Sequence, residues 1–164
     1  MIIPRTGFVQ VYKEVNILEC VENTPCKPGP LVSVGSGGVI EHHKGFTLIL
    51  TAAHVCDYTL PDKVEKMIAK KTKNLKVRTW TGEVLPAKIF KSSVNKDIDL
   101  CTIYIASPGS GLSKIRLSNN RPVPGDRVIS MAAPAGIYHP PTVPILEGVY
   151  SGKIPGGNSA MVTI

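Results

Sequence analysis

No stretch of the chain stays apolar over the roughly 20 residues that a membrane-spanning helix needs, and neither an internal repeat nor a low-complexity tract is present. A helical span within these residues is excluded, and no membrane partner is expected. The first residues, "MIIPRTGFVQVYKEV", lack the basic stretch followed by an apolar run that marks a secretory signal. The expectation is a soluble chain made without a signal of its own. Four cysteines (Cys20, Cys26, Cys56 and Cys101) form neither a paired CxxC zinc pattern nor a dense secreted framework. Cys101 alternates with apolar neighbours, which reads as a small buried core thiol. Cys20 and Cys26 share one turn-rich stretch, where a bond between them, a bond to Cys56 and no bond all remain open. The net charge of +7 is densest in the lysine-rich residues 63–76. That run holds no aromatic residue to stack a base, so it reads as a solvated helix or loop face, and no nucleic acid is expected.

What is present points to β-structure. Of 164 residues, 43% are apolar, and 15 glycines and 14 prolines cut the chain into short segments, a pattern of sandwiches and barrels rather than helices. Strands are expected over residues 7–15 and 31–40, separated by "TPCKPGP", and in "FTLILTAA", which delivers His54 at its end. Weak helical periodicity covers residues 62–73. "KVRTWTGEVLPAKIF" reads as a hairpin turning at Thr81 and Gly82, and "DIDLCTIYIAS" as the next strand. Further strands are expected in "GDRVISMAAPAG" and "TVPILEGVYSGK", and "NSAMVTI" reads as a strand that has only begun. The division that follows is a β-barrel over residues 1–110, a linker over 111–124 and the start of a second β-barrel over 125–164.

A histidine at a strand exit suits a general base if a carboxylate binds its other ring nitrogen. Asp97 and Asp99 compete for that role at the entry of one strand, and a period of two puts them on the same face. Two positions past Asp99 stands Cys101, then Ile103; two past Asp97 stands another aspartate, which would bury an unpaired charge. Asp99 is preferred. His42, His43 and His139 lie in turn-like or proline-rich surroundings and are expected to be exposed.

Order and context carry the reading further. "GSGGVI" followed by "LTAAHV", then "VRTWTGEVLPAKIF", "DLCTIYI", "PGDRVISMAAPAG" and "GVYSG" together resemble chymotrypsin-fold (trypsin-like) serine peptidases of the Deg or HtrA-like and phage or viral kind. The matches run in the family's order over residues 31–152, with Cys101 where the family usually has alanine. The resemblance implies an all-β double barrel whose second barrel is incomplete here. It implies a serine endopeptidase with a polypeptide substrate, His54 as general base and Asp99 as its orienting acid, with no metal or cofactor and no zymogen cleavage before "GSGGVI". With neither a signal sequence nor a membrane-spanning segment read in these residues, a cytoplasmic or virus- or phage-associated protein is expected rather than a secreted one.

The nucleophile is the open member. The family's "GxSGxP" loop does not occur, and the nearest string, "GGNSAM", follows Ser159 with Ala160 and no proline. Only seven residues separate Gly152 from Ser159, and "SAMVTI" itself resembles the strand that precedes the nucleophile loop. The expectation is a serine beyond Ile164, with Ser159 as the alternative and a protease-like binding module without catalysis as the reading from another class. No cysteine follows Cys101 to take the serine's place.

Overall fold

Six strands close on one another in the computed structural model. Residues 5–94, 98–106, 111–133, 136–156 and 160–163 are described. The strands are β1 (Phe8–Cys20), β2 (Gly29–His43), β3 (Phe46–Thr51), β4 (Ile68–Thr79), β5 (Val84–Val94) and β6 (Asp99–Ile105). They form a closed antiparallel barrel in the order β1-β2-β3-β6-β5-β4, with β4 returning to β1. Closure removes the unpaired edges an open sheet would present. Inward positions of neighbouring strands supply Val9, Val11, Val39, Ile49, Val77, Ile103 and Ile105, all fully buried. Two short helical pieces, α1 (Ala53–Cys56) and α2 (Asp62–Glu65), lie between β3 and β4.

The second half contributes β7 (Arg127–Met131), β8 (Ile145–Lys153) and β9 (Ala160–Thr163), a three-stranded antiparallel sheet in the order β7-β8-β9. Ile145, Leu146, Val149 and Val162 stay exposed on it. An all-β chain with one closed barrel and a second, partial sheet is the architecture expected from the sequence.

The segment between β7 and β8 docks onto the mouth of the barrel. Tyr138 packs edge-on against Phe8 with ring centroids 5.2 Å apart, and its hydroxyl donates to the Thr79 carbonyl at 2.9 Å. Buried Gln10 donates from Nε2 to the Gly136 carbonyl at 3.1 Å. Burial raises the pKa of the Tyr138 hydroxyl, as removing a phenolate from water must. Residues preceding β7 also bind back: Ile115 N–H donates to the Val39 carbonyl at 2.7 Å and Ser113 N–H to Thr6 at 3.2 Å.

The hairpin turn falls where expected, between β4 and β5, with Gly82 at φ +96°. Three other expectations need correction. The helical reading of residues 62–73 holds only for the four residues of α2; from Ile68 onward the chain is strand, paired with β1 from Thr79 opposite Val9 to Ile68 opposite Cys20. Over residues 68–74 β4 pairs only with β1 and buries no side chain, so its polar side chains gave no period-2 signal. Its lysines are partly matched within the chain: Lys71 pairs with Glu65, Lys76 with Glu14 at 3.9 Å, and Lys73 lies over the Tyr58 ring. Cys101 is buried but is no free thiol, because it is bonded to Cys56, while Cys20 is bonded to Cys26. His42 is not simply exposed: its ring lies 3.1 Å from Thr47 Oγ1 and 3.0 Å from the Leu112 carbonyl, tying the loop after β6 to the barrel. His43 and His139 are exposed as expected.

Candidate active site

Strand β3 ends at Thr51, and the chain turns through Ala52 into the single helical turn α1, which carries His54 on its outer side. One turn of helix has little stability of its own, so this one depends on its neighbours. Val55 and Cys56 point inward and are buried, while the His54 side chain is 73% exposed. Gly35, the first glycine of "GSGG", lies directly under Val55. A Cβ at that position would stand 2.5 Å from Val55 Cγ2, so only glycine admits the contact. The neighbouring Ser36 takes two hydrogen bonds, from Thr51 Oγ1 to its carbonyl and from Ala133 N–H to its hydroxyl, both at 2.9 Å.

Strand β6 begins at Asp99 and brings its carboxylate to the same turn. Asp99 Oδ2 lies 2.6 Å from His54 Nδ1, and Oδ1 accepts the His54 backbone N–H at 2.9 Å. Both carboxylate oxygens are thus used, one on the ring and one on the main chain that carries it. These bonds hold the Asp99 carboxyl below its ordinary pKa of 3.8, the hydrogen bond to the His54 ring first and that to its N–H second. With the carboxylate on Nδ1, the ring carries its proton there and Nε2 is left as the acceptor. No hydrogen bond engages Nε2 among the described residues.

The far side of the turn is held as well. Lys13, on β1, donates from Nζ to the carbonyls of His54, at 3.1 Å, and Asp57, a cation where the last carbonyls of a helical turn are unsatisfied. The Asp57 carboxylate accepts from Thr59 N–H at 2.9 Å and Thr59 Oγ1 at 2.6 Å, which lowers its pKa and fixes the exit of the turn. Sequence reasoning missed Lys13, because nothing local links position 13 to position 54.

Of the residues expected at the site, His54 and Asp99 are brought together. Asp97 and Ser159 lie outside the described residues. Residues 35–163 match the family model described as a trypsin-like peptidase domain, most of the chain, from within β2 through the histidine turn to β9. The chain belongs to the trypsin-like peptidase domain family. No curated protein matches the sequence. Membership supports a peptidase function, with polypeptide as the substrate class. No helix among the described residues is long and apolar enough to cross a membrane.

Proposed function

We propose that this trypsin-like peptidase domain serves a serine endopeptidase in which His54 is the general base and Asp99 its orienting acid. The observation that carries the proposal is the double use of the Asp99 carboxylate on His54, 2.6 Å to Nδ1 and 2.9 Å from the backbone N–H. Such a carboxylate fixes ring orientation and tautomer, and it stabilises the imidazolium formed when Nε2 takes a proton from an attacking hydroxyl. The hydroxyl oxygen then bonds to the substrate carbonyl carbon. The imidazolium returns its proton to the leaving amine, and water, deprotonated by the same nitrogen, hydrolyses the acyl-enzyme. Asp99 stays ionised throughout. The nucleophile is a serine, either beyond Ile164 or Ser159.

The decisive experiment labels the natural protein with a fluorophosphonate and maps the modified serine. A label beyond residue 164 that disappears in the His54→Ala variant supports the proposal, and one at Ser159 supports it with the alternative nucleophile. No label, with unchanged partner binding in His54→Ala, leaves a protease-like binding module. In a labelled protein, Asp99→Asn should lower kcat on the order of 10⁴-fold, whereas Asp97→Asn should not. The reverse ranking would reassign the acid.

A further inference from the structure

Two pairs in this chain share one spacing. His54 and Asp99 are 45 positions apart, and so are the bonded cysteines Cys56 and Cys101, each two residues further along. We infer that the Cys56–Cys101 disulfide is the positioning device of the His54–Asp99 pair, a covalent bridge that keeps base and acid in register from inside the barrel. This inference rests on the proposed roles of those two residues and extends them to a third and fourth.

The physical need for such a device lies in the exposure of the pair. The side chains of His54 and Asp99 are 73% and 50% exposed, and ion pairs so open to water hold their partners only weakly. Their carriers are also unequal. Asp99 starts a strand paired on both sides, with Asp99 opposite Val94 and Cys101 opposite Thr51 and Ser92, whereas His54 sits on one helical turn. Residues two apart on such a turn face different ways, so His54 points outward while Cys56 points into the core at 1% exposure. Along β6, by contrast, a period of two keeps Asp99 and Cys101 on one face. The bridge therefore anchors the inner side of the turn to the face that presents the acid, with Cα atoms 6.5 Å apart. Cys20–Cys26, which closes a six-residue separation at the far end of β1, has no such relation to the site.

Positioning is reciprocal: if the bridge favours the pair, the pair favours the bridge by the same factor. The test equilibrates the 164-residue chain with reduced and oxidised glutathione from both directions. In this reaction two cysteine thiols and one glutathione disulfide become one protein disulfide and two glutathione thiols. Quenching, alkylation and peptide mass spectrometry then read each bridge separately. In Asp99→Ala, the equilibrium constant for Cys56–Cys101 should fall about 3- to 10-fold, as the loss of one to two hydrogen bonds implies, while that for Cys20–Cys26 stays unchanged. Glu41→Ala, which removes an exposed pair with Lys114 elsewhere on the barrel, is the matched control and should move neither constant. A Cys56–Cys101 constant in Asp99→Ala equal to that of the unmodified chain would overturn the inference, as would an equal fall in the control. In Cys56→Ala/Cys101→Ala, the low-field Nδ1 proton resonance of His54 should disappear and its amide should exchange at least about tenfold faster while the β1 amides stay protected. Retention of both signals would also overturn the inference. If that variant does not fold, the Asp99→Ala equilibrium decides. Neither readout needs catalysis, so a natural protein without hydrolytic activity would refute the proposed function and leave this test standing.

Discussion

Gly35→Ala adds one methyl group where the barrel wall meets the histidine turn, and its effect can be worked from contacts. The new Cβ would lie 2.5 Å from Val55 Cγ2, 2.8 Å from Cγ1 and 3.2 Å from Cβ, against ordinary contacts of 3.4–4 Å. Val55 cannot swing away, because a β-branched side chain in a helical turn has essentially one rotamer and both of its methyls already crowd the site. The turn itself must shift, by about the 0.9 Å that separates 2.5 from 3.4 Å. Overpacking of this kind costs about 1–3 kcal/mol. Replacing a glycine whose φ is not in the left-handed region returns about 0.4–1 kcal/mol through the unfolded state. The balance is a loss of about 1–2 kcal/mol, which for a chain of this length lowers Tm by about 2–8 °C. The larger effect falls on the site: a displacement near 1 Å between reacting groups can cost on the order of 100-fold in rate, and it lengthens the bonds from Asp99 to His54. Near-UV circular dichroism melts and hydrogen exchange of the His54 amide read the two effects. Val55→Ala in the same chain should restore the exchange rate by removing the obstacle. A Gly35→Ala chain with unchanged melting and unchanged His54 exchange would refute the argument that this close approach sets the turn.

Asp99→Asn should lower stability relative to the unmodified chain at pH 5, with the difference shrinking as pH falls. The folded carboxyl titrates below its ordinary 3.8, so its contribution is present above that value and lost as pH drops through the lower folded pKa; urea titrations between pH 5 and pH 2 would show it, and a constant difference would contradict it. Ser36→Ala leaves the half-buried Ala133 N–H without its acceptor and should cost about 1–3 kcal/mol, read from the urea midpoint. Lys13→Met keeps the aliphatic stem but removes the donor to the His54 and Asp57 carbonyls. It should speed exchange at the Asp57 amide, which closes α1 through its bond to Ala53, while leaving the amides of β3 unchanged.

The legible parts of the fold were those whose pattern is local. Strand β6 reads directly because Cys101, Ile103 and Ile105 alternate inward, and the turn after β4 reads because Gly82 supplies a positive φ. The preference for Asp99 over Asp97 rests on what stands two positions on, Cys101 in one case and another aspartate in the other, and Asp99 lies 2.6 Å from His54 Nδ1. What escaped were contacts whose partners lie far apart in the chain. His42 has turn-like neighbours, yet its ring is held by a carbonyl 70 residues away. Cys101 looked like a core thiol because burial and alternation are the same whether a cysteine is free or bonded; only the closed barrel brings it to Cys56. Local spacing cannot express that closure.

The motif "GSGG" shows how closure and chemistry meet in four residues. Gly35 lets Val55 seat the histidine turn, and Ser36 receives the main chain of the second half through Ala133. Gly37 admits Ile49 and the Leu50 carbonyl at 3.0 Å, and Gly38 faces Ile115. Gly35 thus excludes a Cβ on steric grounds, Gly37 leaves room for one only if its neighbours give by a few tenths of an ångström, a Cβ at Gly38 would displace the end of the Ile115 side chain, and position 36 supplies a hydroxyl. The strand therefore links the histidine turn, the barrel core and the docked second half through adjacent residues, and substitutions along it should be separable by readout. A change at 35 acts first on His54, and a change at 36 first on the attachment of Ala133. If Ser36→Ala instead disturbed the His54 amide as strongly as Gly35→Ala, the second half would be coupled to the base through this strand, and the two elements would unfold as one unit.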